Sequence, residues 1–467
     1  MNPFYQLFTK KGLIRSLLPL AFGFCFLFTG CQKFLDIPAP PDKINKESAF
    51  ASDATATAAI TGIYSEMINN AQQFTSGFTT LYAGLSADEL EYYTPGQLDE
   101  FRANEITEQN HSNLTNYFWA PAYKFIYSAN LAIEQLEIST TLSPATRDQL
   151  LGEAKFTRAF CYFYLTQFFG DVPLVLSSDY RQNSQLSRTG TQQLYEQIIQ
   201  DLTEAKAKLP ALYPTADRAR PNKWAATALL ARTYLYLQNW EGAEREAGAV
   251  IQSGMYTLAP LEETFGKTSP ETIWQLTPGN PFIGTWEAFY ILPPSPSSTP
   301  TYMVTKELLS SFEADDKRKT TWIQSRTFEN TPIHYPAKYK HYPTGAPVTE
   351  AYIVLRLAEQ YLIRAEARLA QHKIEAAKAD LDLLRQRAGL PLITAQDPAA
   401  MFQSVVKERQ VELFAEWGHR WLDTKRLGIA QAIFGNQKPS WQPTDVLWPI
   451  PLDQINLNPA LVQNPGY

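Results

Sequence analysis

Two stretches of this chain place small residues where paired helices have to approach closely, and they constrain its fold more than any other feature. The first carries Leu230, Ala231, Tyr234 and Ala243, with Gln238-Asn239 as the turn between two helices. The second, Tyr361, Ala365, Ala377 and Leu381, keeps the same frame less completely. Small side chains in such places let one helix lie against another at short interaxial distance. Thr191 to Leu209 sets Leu194, Ile198, Leu202, Ala205 and Leu209 on one stripe, with Glu196, Asp201 and Lys206 elsewhere. Helices around Trp119–Glu137 and Glu153–Phe169 bring the set to about four pairs. The expected fold class is all-α.

The frame of these residues matches the Leu, Gly, Tyr and Ala positions of the ~34-residue tetratricopeptide repeat. A plain solenoid is nonetheless excluded, because Ala231 and Ala365 are 134 residues apart and no repeat-like sequence fills the interval. Roughly 256–348 reads instead as an irregular insertion, since the stretch Pro293-Pro294-Ser295-Pro296-Ser297-Ser298-Thr299-Pro300 breaks any helix. A second irregular insertion covers about 92–116. Long irregular segments on a rigid frame are where binding groups tend to sit. The chain is 13% aromatic, with 10 Trp and 24 Tyr. Flat rings stack on the C–H faces of sugars, but a large helical core also consumes them, so composition alone does not separate the two uses.

The first thirty residues read as a secretory leader. Lys10, Lys11 and Arg15 precede an apolar run, Leu17 to Phe28, too short to span a bilayer, and small residues follow at Thr29-Gly30-Cys31. A cysteine directly after such a cleavage point resembles a bacterial lipobox, with Phe28 where the pattern favours Leu. The expectation is a signal peptide over 1–30 and a mature chain, 31–467, lipidated at Cys31 and held to a membrane by its acyl chains. Pro38-Ala39-Pro40-Pro41 then forms an extended, semi-stiff spacer.

Removing that leader takes away three positive charges and no negative one, moving the formal net charge from −6 to −9. No basic run remains, which argues against nucleic acid as a partner. Cys161, in an apolar run, has no cysteine to pair with beyond lipidated Cys31 and reads as a buried, inert thiol. His111, His334, His341, His372 and His419 show no ligand spacing. There is no phosphate loop, nucleophile elbow or dinucleotide fingerprint. No cofactor, metal or catalytic residue is expected.

Four stretches together resemble the SusD/RagB family of outer-membrane nutrient-binding lipoproteins. They are Glu153 to Phe160 with Phe169-Gly170-Asp171-Val172-Pro173-Leu174; Glu408-Arg409, Glu412-Leu413, Glu416, Gly418, Arg420-Trp421 and Asp423 to Arg426; Trp448-Pro449-Ile450-Pro451 with Gln463 to Tyr467; and Trp119, Tyr123, Ile126 and Asn130. Glu408, Glu412 and Glu416 fall at i, i+4 and i+8, an acidic stripe on one helix. Arg409 and Arg420 are placed to pair with carboxylates of neighbouring helices. A glycosidase pair would face across a sugar at ~5 or ~6.5–9.5 Å, normally from different elements, so the stripe reads as structural.

The resemblance implies a cell-surface lipoprotein of the outer membrane that captures oligosaccharide and hands it to a TonB-dependent, SusC-like transporter. It further implies that rings on loops hold the ligand, which makes Tyr92, Tyr93, Trp286, Tyr290 and Trp322 the candidates. Trp286 leads them, because Gly284-Thr285-Trp286-Glu287 lies just before the proline-rich loop and lacks helical periodicity. Three other readings stay open: the same fold taking peptides or another nutrient, a lipid-anchored hydrolase, and a scaffold for envelope assembly.

Overall fold

The computed structural model describes residues 46–279, 284–295, 297–342, 347 and 349–467. Cys31, the leader, the proline spacer and Pro296 therefore lie outside the described residues. The chain divides into two units, Met1–Ala49 and Phe50–Tyr467. Of the first, the structure describes one helical turn, Lys46–Ala49. All that follows concerns the second.

Helix α1 (Asp53–Asn69) starts where the Ser52 hydroxyl accepts the Thr55 N–H, and α2 (Phe78–Ser86) follows after a short turn. A stack of helices then begins with α3 (Ala120–Ile138), α4 (Pro144–Phe169), α5 (Thr191–Lys208), α6 (Lys223–Tyr236) and α7 (Trp240–Gln252), each packed on the next. Helix α4 is buried along its whole length from Leu150 to Phe169. Its charges survive there because each has a partner. Arg158 makes a two-pronged contact at 2.8 and 2.7 Å with Asp201 of α5, and Asn130 of α3 accepts its third hydrogen bond. Asp201, which the apolar period sets off the buried stripe, is thus in the core.

After α7 the chain leaves the stack. The excursion contains β2 (Thr272–Leu276), α8 (Trp286–Ile291), β3 (Tyr302–Val304), α9 (Lys317–Trp322), the hairpin β4 (Ile323–Phe328) and β5 (Thr331–Pro336), and β6 (Tyr352–Arg356). Glu329 and Asn330 both take positive φ, 47° and 66°, as a two-residue hairpin turn matching strand twist requires. Strand β6 pairs antiparallel with β2, clamping the two ends of the excursion together, and β3 pairs with β1 (Leu90–Tyr92). The insertions are therefore more ordered than their turn-rich sequences suggest. They fold as two-stranded pieces and short helices.

The chain re-enters the stack through α10 (Leu357–Ala370), which packs directly on α7, followed by α11 (Ile374–Arg387) and α12 (Pro398–Leu413). Ala231, Leu235, Ala243 and Ala247 of the first hairpin share one apolar cluster with Ile363 and Ala367 of the second. Among the described residues the stack thus amounts to eight helices, including both hairpins of the small-residue frame, in keeping with the expected set of about four pairs. The last helix of the frame, α13 (His419–Arg426), leads into the C-terminal segment. There the Trp448 ring stacks on Phe168 at 4.3 Å, and the Asn464 amide donates to the carbonyls of Phe169 and Trp448 at 3.0 and 2.7 Å. No described helix is long and apolar enough to cross a membrane.

Candidate functional site

Two clusters hold the residue types that chemistry or binding would need, and they differ in whether those groups are free. The first is the acidic stripe. Helix α12 ends at Leu413, so Glu416 sits beyond it in a tight loop where Ala415 and Trp417 adopt φ of 47° and 48°. The expected single-helix stripe is broken there, because the Trp417 N–H bonds to Thr80 at 2.9 Å and hold the loop in a conformation non-glycine residues disfavour. Glu412 is fully buried and accepts from Arg356 at 2.7 Å, from Arg318 at 3.0 Å, and from Arg387. Burial alone would raise its carboxyl, but Arg387, Arg356 and Arg318 outweigh it and hold it well below the ordinary range. Glu416 takes Arg356 at 2.7 and 2.8 Å and also Lys338. Arg409 and Arg420 pair with Asp423 and Asp88, each at 2.7 Å. Every carboxylate of the stripe is committed to a cation inside the core, which is a structural arrangement.

The second cluster is a surface of half-exposed rings. Thr285 caps α8 by accepting the Ala288 N–H at 3.1 Å. This short helix buries Glu287, Ala288 and Ile291 and turns Trp286, Phe289 and Tyr290 outward. Its inner face approaches Gly77 so closely that a Cβ there would stand 3.2 Å from the Glu287 nitrogen, and Gly77 also has a φ of 112°. Trp286 is half-buried and donates its indole N–H to the Ile68 carbonyl at 2.7 Å. The helicity of Trp286 departs from the sequence reading, because six residues are too few for the apolar period to show.

Other segments bring their rings to the same surface. Tyr92 of β1 lies opposite Tyr302 of β3, ring to ring at 5.3 Å. Tyr93 packs on Phe328 of the β4–β5 hairpin at 6.2 Å. Tyr290 and Tyr117 both meet Phe78, at 5.1 and 4.9 Å, and Phe289 stacks on Tyr342 at 5.6 Å. The buried Tyr82 hydroxyl, raised by its burial, has those of Tyr302, Tyr117, Tyr290 and Tyr92 as neighbours. The structure therefore gathers Tyr92, Trp286 and Tyr290, with Tyr93 at one edge beside the hairpin. Arg326 of β4 fastens the proline-rich loop by donating to the Ser295 carbonyl at 2.7 Å.

Trp322 does not belong to this surface. It has no exposed area, donates to the Leu261 carbonyl at 2.9 Å, and has the Lys338 ammonium 4.6 Å over its ring. It is core, and the expectation that it faces a ligand is corrected. In its place the surface has Tyr117, Phe289 and Tyr342. Phe289 is 39% exposed, and the short helix brings it onto one face with Trp286 and Tyr290, at i, i+3 and i+4, a pattern too brief to stand out in the sequence. Tyr117 lies in a π-helical turn, Thr115–Trp119, that no local pattern announces.

One buried carboxyl, Glu287, lies on the inner face of α8 behind the rings, and a second, Glu89, lies beside Asp88 and accepts the Ala415 N–H. Glu287 and Glu89 are each pushed up to about 8 by burial, with Glu416 adding to the first and Asp88 to the second, and each leaves one oxygen without a partner. Burial thus favours the protonated form of both over the ordinary carboxylate, which lessens the charge that Glu287 places under the rings. Half-exposed flat rings edged by phenol hydroxyls can stack on C–H faces and bond to hydroxyl groups.

Known proteins resemble this chain in sequence and in fold. Residues 33–235 match a family described as starch-binding and associating with the outer membrane, and residues 302–467 match the SusD family. SusD-like protein P25 of Formosa agariphila is 23% identical, covering 95% of this chain and 97% of its own, and SusD-like protein P2 of the same organism is 27% identical, covering 90% and 94%. A SusD superfamily structure from Parabacteroides distasonis superposes with a TM-score of 0.77 at 22% identity, covering 91% of this chain and all of that one. A structure titled as a laminarin-binding SusD-like protein gives 0.74 at 23% identity, covering 89% and 99%. Matched over most of its length by both family descriptions and carrying the same helical-repeat fold, the chain belongs to the SusD/RagB family.

Proposed function

We propose that this protein is a non-catalytic, surface-exposed outer-membrane lipoprotein that captures oligosaccharide on the ring surface built by Tyr92, Tyr93, Trp286 and Tyr290. The observation that carries this reading is the convergence of aromatic side chains from separate segments onto one half-exposed face, on a fold whose cores normally hide such rings. The starch-binding description of the matched family and the laminarin-binding neighbour support a glycan as the ligand class. Cys31 is the anchor, and a TonB-dependent, SusC-like transporter in the same membrane receives the captured ligand.

The decisive experiment is binding of the purified protein to a panel of neutral glycans and peptides by calorimetry, with Trp286→Ala beside wild type. Glycan affinity lost in the variant supports the reading; peptide binding that the variant retains overturns it. The anchor is tested separately by Cys31→Ser, which should move the protein from the membrane to the soluble fraction. Co-purification of a barrel protein with the lipidated wild type, at near-equal stoichiometry, tests the transporter.

A further inference from the structure

A second ring-lined depression lies outside the surface just described. It is a groove of about 570 Å³ between α3, the segment following α4, and the C-terminal turn around Leu457, within the ~300–1,000 Å³ range of small-ligand sites. Its lining includes Trp119, Tyr123, Tyr127, Tyr180, Gln454 and Leu457. Tyr123 and Tyr127 stand one turn apart on the same face of α3, about 6 Å along its axis. Tyr127 is 48% exposed and Tyr180, across the groove, 75%.

The walls are fixed before any ligand arrives. The Tyr123 hydroxyl donates to the Pro173 carbonyl at 2.8 Å, the Asn183 amide to that of Ser177 at 2.7 Å, and the Asn458 amide to that of Leu186 at 2.9 Å. A preformed groove loses less ordering entropy on binding. Its electrostatics narrow the ligand class. The ionisable cation in the lining, Lys124, is paired with Glu66 of α1, so the groove presents no unanswered formal charge. Flat rings in series, a half-buried Gln454 amide and two phenol hydroxyls at the rim suit a neutral, hydroxyl-rich chain.

The placement adds a further constraint. Glu66, which holds Lys124 at this groove, and Ile68, which accepts the Trp286 N–H at the first surface, are two residues apart on α1. The two ring surfaces flank the same helix end.

We propose that this groove is a second saccharide subsite, engaging neutral glycan chains long enough to reach past the Trp286 surface. The inference rests on the glycan-binding reading above. Two weak contacts on one chain raise apparent affinity through effective concentration without strengthening either one.

The test uses calorimetry with two lengths of one glycan, laminaritriose and laminarin, and with maltotriose and soluble starch as a second pair. Proteins compared are wild type, Trp286→Ala and the double variant Tyr127→Ala/Tyr180→Ala, whose truncated side chains are exposed and whose melting temperature should match wild type. The double variant should keep trisaccharide affinity at the Trp286 surface but lose about tenfold or more for the long chain, the scale of one or two stacking contacts. Unchanged long-chain affinity in the double variant, with Trp286→Ala still impaired, overturns the second subsite alone. No binding of any of the four glycans by wild type overturns both readings.

Discussion

The hub around Arg356 and the surface around Trp286 invert the usual allocation of residue types. In the hub the most strongly hydrated groups of the chain are the most buried: Glu271, Glu412 and Glu416 all close on one guanidinium, and each answers further cations of its own. At the ring surface, apolar groups that would stabilise a core stand partly in water. The lesson is about commitment. A buried carboxylate with two or three cationic partners has no valence left for a substrate, whereas a half-exposed ring retains a whole face. Counting acidic residues would have pointed to chemistry among groups that are already paired.

The sharpest way to break this contrast is at its most buried end. Glu412→Ala should cost on the order of 3–5 kcal/mol, because it strands Arg318, Arg356 and Arg387 without a shared counter-charge. Chemical denaturation reads the loss. Glycan affinity per folded molecule should stay at the wild-type value, and a stable variant lacking some measurable turnover would sink the structural assignment. Trp322→Ala comes next, at about 3–5 kcal/mol for a buried ring and its cavity. It should leave binding intact in the folded fraction.

Trp286→Ala sharpens the other side. Truncating a stacking ring weakens binding by about 1–3 kcal/mol, roughly fivefold to 150-fold. The lost bond to Ile68 should cost only about 1 kcal/mol of stability. A variant whose melting temperature collapses while binding survives would turn Trp286 into a second Trp322.

The gentlest probe is pH. A glutamate at 4.5 when unfolded and about 8 when folded, as at Glu287 and Glu89, holds its proton more tightly in the native state. The stability this contributes is complete below pH 4.5 and is lost as pH rises to about 8, at up to about 1.4 kcal/mol per unit for each group. Lys338, lowered from 10.5 to about 8, works in the opposite direction above that pH. Within pH 5–8 His419 and His111, lowered by burial, and Lys425 and Lys438, each lowered to about 7, also act in that opposite direction. The glutamate contribution is therefore read as a difference: relative to wild type, the denaturant midpoint of Glu287→Gln should lose less as pH rises through that range. An unchanged slope in the variant would remove Glu287 from the set of groups that titrate there.

How much of this was readable beforehand follows from how local each determinant is. The paired hairpins were legible because Ala231, Ala243, Ala365 and Ala377 report contacts within or between adjacent helices. The ring surface was half legible. Tyr92, Trp286 and Tyr290 lie in segments whose turn chemistry marks them as irregular, but nothing near Trp322 announces that Leu261, Phe265 and Phe414 close over it. Those neighbours lie tens of residues away and arrive only when the excursion folds. Asp201 and Glu416 escaped for a related reason. The first is drawn inside by Arg158, and the second is displaced from its helix by a hydrogen bond to Thr80, more than three hundred positions upstream.

The β2–β6 clamp has a consequence for how such a protein can change. Because the excursion departs after α7 and returns directly onto it through α10, its two ends are neighbours whether the intervening chain is long or short. Closing a flexible loop costs only about 0.6 kcal/mol more for each doubling of its length, and here the clamp and the stack hold the ends together. The frame is thus largely indifferent to the length of what hangs between them, but not to Arg318 and Trp322, which the excursion buries against Glu412 and Phe414. On the glycan-binding reading, the exposed rings such as Phe289 are the part of the excursion free to vary while its buried anchors and the scaffold are kept.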